Sequence, residues 1–246
     1  MRPIVLATDY GTSGAYVGQL KSAIYTVAPG ATIIDLTHEL PEFNPRASAY
    51  LLASFLEYVP PESVIVGVVD PGVGSARLPV VLEGDGYTFT GPDNGLFSIV
   101  ARKLSKARWS EILLSSEPAS NTFHGRDIFA PVAVQLASGS TPRLAPAPAE
   151  DRAGIQWPDD LHEIVLVDHF GNGVTGIRYR PSDQERIMKV HGEKVRYAPA
   201  FHCVGPGESF WYGNSNGLIE VAVREGSAAE RLDLKTGDPV GFDAAG

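Results

Sequence analysis

The chain has 246 residues, 43% of them hydrophobic and 20% charged, and a formal net charge of −9 at pH 7. Such a make-up belongs to a globular protein able to bury a substantial core, and its acidity argues against a nucleic-acid partner, which would call for clustered Lys and Arg. The single Cys203 excludes an intrachain disulfide and multi-cysteine metal sites, and no apolar run suits a signal peptide or a membrane span, so a soluble cytoplasmic protein is expected.

In chain order, residues 4–8 read as a first strand and 14–27 as a helix, with Tyr16, Leu20, Ala23, Ile24 and Val27 at helical spacing. Residues 32–36 are strand-like, 45–58 form a second helix and 63–69 a third strand. Two runs, 80–83 and 87–90, flank Gly84-Asp85-Gly86 and read as a hairpin. Further helices are predicted at 94–103 and 128–138. The β-α-β-α-β order implies an α/β domain with a mainly parallel sheet covered by helices. The proline-rich stretch 141–160 reads as a linker. It sets an N-terminal α/β domain over 1–145, a linker over 146–160 and a C-terminal domain over 161–246. Beyond it, short strand-like runs at 163–168, 173–179, 186–190, 210–212 and 218–223 alternate with turns and imply a small all-β barrel or sandwich.

Several turns gather polar side chains at strand ends, where α/β sheets place ligands. Asp70-Pro71-Gly72-Val73-Gly74-Ser75-Ala76-Arg77 follows the third strand and brings a carboxylate and a guanidinium onto one turn. A surface ion pair is the plain alternative. Thr8-Asp9-Tyr10-Gly11 follows the first strand; a carboxylate there suits a ribose diol, and a helix cap is the competing explanation. The segment carries neither the glycine-rich dinucleotide fingerprint nor a P-loop. Pro92-Asp93-Asn94-Gly95 reads first as an N-cap of the helix that follows. Phe123-His124-Gly125-Arg126-Asp127 supplies the best candidate for proton transfer, because an unperturbed histidine titrates near neutrality. The remaining histidines lack zinc-helix spacing, so no metal is expected. In the second half, Asp168-His169-Phe170-Gly171-Asn172 and Tyr212-Gly213-Asn214-Ser215-Asn216-Gly217 offer a carboxylate, aromatic faces and amides within short loops.

Together with the tail Gly226-Ser227-Ala228-Ala229-Glu230-Arg231-Leu232, these motifs resemble, in order and over nearly the whole chain, the S-adenosyl-L-methionine (SAM) hydroxide adenosyltransferase family. Its members are adenosine-forming SAM hydrolases related to fluorinases and chlorinases. The resemblance implies an N-terminal α/β domain, a C-terminal β-barrel and a homotrimer that binds SAM between subunits, with no metal, nicotinamide or flavin cofactor. It places a catalytic triad on Asp70, Arg77 and His124 and a ribose-binding carboxylate on Asp9. Asp168 and Ser215 would hold the methionine end, and Phe170, Asn172 and Phe201 would surround the adenine. Asn216 stands where the halogenases carry Arg, so it takes no assigned contact.

The implied reaction is in-line displacement at the ribose C5′ by water or hydroxide, releasing methionine as a neutral leaving group. Two routes for the water's proton stand open: Asp70 accepts it directly, or Asp70 orients His124, which is the favoured base; Arg77 holds and polarises the incipient hydroxide in either. Two alternatives stand beside it. A SAM-dependent halogenase conflicts with a carboxylate at Asp70, which repels halide and accepts hydrogen bonds from water. A non-catalytic SAM or adenosine sensor would have no use for the triad.

Overall fold

The computed structural model describes residues 1–114 and 119–243 and divides into two compact units, Met1–Trp157 and Pro158–Gly246. Both are rich in sheet, and each is described by itself.

The first unit runs β1 (Ile4–Thr8), α1 (Tyr16–Val27), β2 (Ile33–Thr37), α2 (Pro45–Phe55), β3 (Val64–Val68), β4 (Pro79–Gly84), β5 (Tyr87–Pro92), α3 (Ser98–Lys103), β6 (Arg108–Ile112), α4 (Ala130–Ala137) and β7 (Leu144–Ala147). Every residue of β1 and β3 is buried, as expected of central strands covered on both faces. Ile4, Leu6, Val64 and Val66 share a core with Leu20 and Ile24 of α1 and with Ala130 and Ala133 of α4. On β5, Phe89 meets the ring of Phe97, at the start of α3, with centroids 5.6 Å apart. Asn44 caps α2 by accepting a hydrogen bond from the Ala47 amide at 3.0 Å, and Pro45 fills the first helical position.

The sheet is mixed, which corrects the expectation of a mainly parallel one. Its strand order is β2-β1-β3-β5-β4-β6-β7. The pairs β1–β2, β1–β3 and β3–β5 are parallel, whereas β4–β5, β4–β6 and β6–β7 are antiparallel. The hairpin at Asp85-Gly86 causes the change: both residues have positive φ (49° and 85°), the geometry of a tight primed turn, so β5 returns beside β4 and also pairs with β3. Strands β6 and β7 escape the hydrophobic pattern because one is Arg-Trp-Ser-Glu-Ile and the other contains Pro146, tolerable on an edge strand. The segment expected as a linker therefore includes the end of β7, and Arg152 within it pairs with Asp93 at 2.9 Å. Helix α3 starts at Ser98, later than predicted, and α4 is preceded by a π-helical turn, Gly125–Phe129.

The second unit contains β8 (Leu161–Val167), β9 (Gly173–Arg178), β10 (Met188–Val190), β11 (Glu193–Tyr197), β12 (Ser209–Gly213), β13 (Leu218–Val223), α5 (Ala228–Leu232) and β14 (Val240–Phe242). Their order, β14-β10-β11-β12-β13-β9-β8, nearly closes on itself. A bridge joins Glu163 to Pro239, and the Ile164 amide donates to the Asp238 carbonyl at 2.8 Å. The fully buried Trp211 fills the interior with Met188, Val195, Ile219 and Val221. Strands β11 and β14 were not predicted. Ser227 caps α5 by accepting from the Glu230 amide at 3.1 Å.

Two glycines on adjacent strands, Gly67 on β3 and Gly91 on β5, leave room for the Phe97 ring directly below the strand end that carries Asp70. A Cβ at Gly91 would lie 2.1 Å from the Gly67 carbonyl oxygen and 2.8 Å from Phe97 Cζ. Gly91→Ala should therefore destabilise the protein by roughly 1–3 kcal/mol, the scale of overpacking, as measured by urea unfolding.

Candidate functional site

The turn after β3 is built to present Asp70. Gly74 sits at φ 79°, and a Cβ there would fall 2.5 Å from the Asn121 carbonyl oxygen, so a left-handed glycine lets this turn lie against the segment leading to His124. Asn94 donates to the Val69 carbonyl at 2.8 Å and ties down the residue before Asp70. That bond replaces the expected capping role: α3 has Phe97 at its N-cap position and no side-chain cap.

Arg77 folds back onto Asp70. Its Nε donates to both carboxylate oxygens at 3.1 and 3.0 Å, and its Nη2 donates to Oδ2 at 2.5 Å. The pair is shielded, with side chains 10% and 5% exposed for Arg77 and Asp70. The same Nη2 reaches His124 Nδ1 at 2.7 Å. Asp70, Arg77 and His124, proposed from sequence as one group, thus lie within a single hydrogen-bonded array. The surface ion-pair alternative for Asp70 and Arg77 does not describe it.

The array also settles a proton. An arginine nitrogen only donates, so Nδ1 of His124 accepts and the neutral ring carries its hydrogen on Nε2. Burial, followed by the neighbouring Arg77 cation, pushes the His124 pKa below its ordinary 6.5 and keeps the ring neutral. Nε2 is buried without a hydrogen-bond partner. With the hydrogen on Nε2, this nitrogen is a donor in want of an acceptor.

Beside the array lies a cavity of about 360 Å³ lined by Asp9, Asp70, His124, Glu42 and Phe43, with Tyr10, Tyr16 and Phe123 among its walls. These last three rings meet one another at centroid distances of 5.3–5.8 Å. Asp9 is no helix cap, since α1 begins only at Tyr16. Its Oδ2 instead accepts from the Phe43 amide at 3.2 Å. Phe43 is 73% exposed and holds a left-handed backbone, φ 56°, unusual for an aromatic residue. Tyr10, Tyr16, Glu42 and Phe43 were missed as candidates; only Tyr10, inside the Thr8–Gly11 motif, carried a signal. Among the described residues no group of three or more His, Cys, Asp or Glu is arranged to hold a metal ion.

In the second unit, Asp168 closes the β8–β9 loop around itself. Its Oδ1 accepts from the Phe170 and Asn172 amides at 2.9 and 2.8 Å, and its Oδ2 accepts from Asn172 Nδ2 at 3.0 Å. These three bonds leave part of the carboxylate's accepting capacity free. Phe170 projects outward, 74% exposed, while Asn172 is buried. Phe201 packs edge-on against Phe210 and Tyr212, with centroids 5.0 and 5.5 Å away. Ser215 rides on the β12–β13 loop, whose shape is set by Asn214 Oδ1 accepting from the Asn216 and Leu218 amides, each at 3.0 Å. Asn214 and the Tyr212 hydroxyl both donate to the buried Glu220, a residue sequence reasoning did not single out. Burial, then Glu220 and finally the Asp168 carboxylate raise the Tyr212 pKa well above the ordinary phenol value.

Comparison with known proteins matches residues 4–145 to the SAM hydroxide adenosyltransferase N-terminal domain and residues 162–241 to its C-terminal domain. The chain belongs to the SAM hydroxide adenosyltransferase family. Within the wider set of relatives, a Thermus thermophilus protein named (R)-S-adenosyl-L-methionine hydrolase is 38% identical, over 98% of this chain and 99% of its own. A Salinispora tropica protein of the same name is 34% identical over 96% of this chain and 95% of its own. A fluorinase from an Actinoplanes species is 24% identical over 95% of each chain. A solved structure of an uncharacterised Thermotoga maritima protein superposes with a TM-score of 0.81 at 32% identity, covering 96% of this chain and 98% of that one.

The environment of Asp9 yields a stability test. Burial, partly offset by the Phe43 amide, raises its pKa above the ordinary 3.8. A raised carboxyl pKa means that the folded state loses stability as pH rises through that value, so ionised Asp9 is a burden at neutral pH. Asp9→Asn should raise the melting temperature at pH 7, and the gain should vanish below pH 3.8, as followed by thermal denaturation at each pH.

Proposed function

We propose that this chain hydrolyses SAM to adenosine and L-methionine, with the R configuration at sulfur that its curated relatives carry in their names. The observation that carries the reading is the Asp70–Arg77–His124 array beside the cavity, with Asp70 and His124 on the cavity wall and the His124 Nε2–H without an acceptor in the protein.

In this reading Asp9 accepts hydrogen bonds from the ribose diol and a water lies against Asp70 and His124. The His124 Nε2–H donates to the water oxygen, one water hydrogen points to Asp70, and the remaining lone pair faces C5′. As the oxygen–C5′ bond forms, the C5′–sulfur bond breaks and its electron pair neutralises the sulfonium. The water proton passes to Asp70 and then to solvent. Arg77 holds the other two side chains through Nε and Nη2 and is absent from the cavity lining, so in this reading its part is to orient them. Positioning of this kind is worth several kcal/mol. The leaving group is already activated by its own positive charge, so the chemistry as written calls for no metal or organic cofactor. Asp168 and Ser215 would take the methionine end, and Phe170, Asn172 and Phe201 the adenine. The halogenase reading founders on charge, because Asp9, Glu42 and Asp70 all line the cavity and would repel a halide.

A homotrimer, a cytoplasmic setting, an independently folding domain on either side of the 146–160 segment, and the absence of nucleic-acid and membrane partners belong to the same proposal. In its support, no helix among the described residues is long and apolar enough to cross a membrane. Light scattering should return three chain masses; a monomer would overturn the trimer.

Incubation with each SAM epimer in ¹⁸O-water should release adenosine and methionine in equal amounts, with the label in the 5′-hydroxyl and preference for the R epimer. Asp70→Asn and His124→Ala should lower kcat by about 10²–10⁴-fold. His124→Gln, which keeps a donor, should retain more activity than His124→Ala. Any acid limb due to His124 should lie below pH 6.5, because protonation puts a hydrogen on Nδ1 against Arg77. Haloadenosine as product, or no turnover, would defeat the reading.

A further inference from the structure

A chain of side chains outside the cavity runs from the protein surface to the turn that carries Asp9. Lys21 Nζ meets Asp35 Oδ2 at 2.5 Å, and Asp35 Oδ1 meets His38 Nε2 at 3.1 Å. His38 Nδ1 lies 2.8 Å from Thr8 Oγ1, which accepts from the Tyr10 amide at 3.3 Å. Thr8 and His38 are buried, while the Asp35 side chain is 42% exposed.

A neutral imidazole at His38 gives these bonds one consistent direction. Burial of Asp35 works against ionisation, but hydrogen bonds from Lys21 and His38 outweigh it and hold its pKa below the ordinary value. An ionised carboxylate only accepts, so His38 carries its hydrogen on Nε2. Nδ1 then accepts from the Thr8 hydroxyl, leaving the hydroxyl oxygen free to accept the Tyr10 N–H. At its buried end both ring nitrogens of His38 and the Thr8 hydroxyl are bonded, which a polar network requires if it is to rigidify its surroundings.

The backbone around His38 grips the same turn. The Gly11 amide donates to the His38 carbonyl at 2.8 Å, and the Leu40 amide donates to the Thr8 carbonyl at 3.1 Å. Asp9, held between Thr8 and Tyr10, is thus located by His38 on one side and by the Phe43 amide on the other. We propose that His38 is a positioning residue that sets Asp9 for the ribose diol, so that discrimination between ribose and sugars lacking the diol depends on it. The inference rests on the reading that Asp9 meets the ribose.

The test is calorimetric binding of adenosine and 2′,3′-dideoxyadenosine to the full chain and its variants, with folding checked by circular dichroism at the assay temperature. The unaltered protein should prefer adenosine. His38→Ala should cut that preference roughly tenfold or more, the scale of one hydrogen bond to a charged group. Thr8→Val, which keeps the volume and removes the hydroxyl, should do the same and serves if His38→Ala does not fold. A merely structural role would weaken both nucleosides equally or lower the melting temperature alone; either result, or an unchanged preference, overturns the proposal. Asp9→Asn separates the premises: if it leaves the preference intact, the ribose reading of Asp9 fails and the role of His38 falls with it.

Discussion

Arg77 is the joint on which the candidate site depends. It bonds the Asp70 carboxylate through two nitrogens and reaches His124 through one of them, linking a strand-end turn to a segment far along the chain. Guanidinium suits this task because it is planar, always charged and can only donate. Its last property dictates the tautomer of His124 at a distance. A lysine would offer one point charge, with neither the fork on Asp70 nor the fixed direction toward Nδ1. With the pair largely shielded from water, the geometry is stiff and the surrounding charges act strongly on one another.

Around that joint, the fold assembles pieces that cannot come from a single segment. Parallel strands β1 and β3 end side by side, bringing the Thr8–Gly11 and Asp70–Arg77 turns to one edge of the sheet. The π-helical turn before α4 puts His124 at its start, and the loop before α2 brings Glu42 and Phe43 over Asp9. Several positions here forgo stability: Asp9 is a carboxylate whose burial favours its neutral form, His124 has a buried donor without a partner, and Phe43 holds a left-handed backbone. Such features concentrate where a ligand is to be met, since the ligand supplies what the protein leaves unsatisfied.

The second unit follows another logic. Two of its polar loops are braced from within: Asp168 accepts three bonds from its own loop, and the Ser215 loop is shaped by Asn214, which is itself held by Glu220. Among its described residues, the large hydrophobic side chains left exposed are aromatic, Phe170 and Phe201. Rigid loops that present flat apolar faces suit recognition of a planar base, in contrast to the unsatisfied polar groups of the first unit.

Most strands and helices of the first unit were legible in the sequence, because apolar periodicity is a local property that follows from which face must be buried. The motifs carrying Asp9, Asp70, Arg77 and His124 were legible too, since strand-end turns concentrate Gly, Pro and short polar residues. What escaped was whatever depends on residues distant in the chain. β6 and β7 are strands because β4 offers an edge, not because their own pattern demands it. The mixed sheet arises from where one hairpin docks, and Asn94 serves Val69 and not a helix because the two meet only in the folded chain. The same holds at the site. Motifs alone established which chemical groups are present: a carboxylate, a guanidinium and an imidazole on turns beside a sheet. That Arg77 Nη2 meets His124 Nδ1, and with it which ring nitrogen of His124 carries the hydrogen, emerged only from the folded chain, because a tautomer is set by the partner across a hydrogen bond.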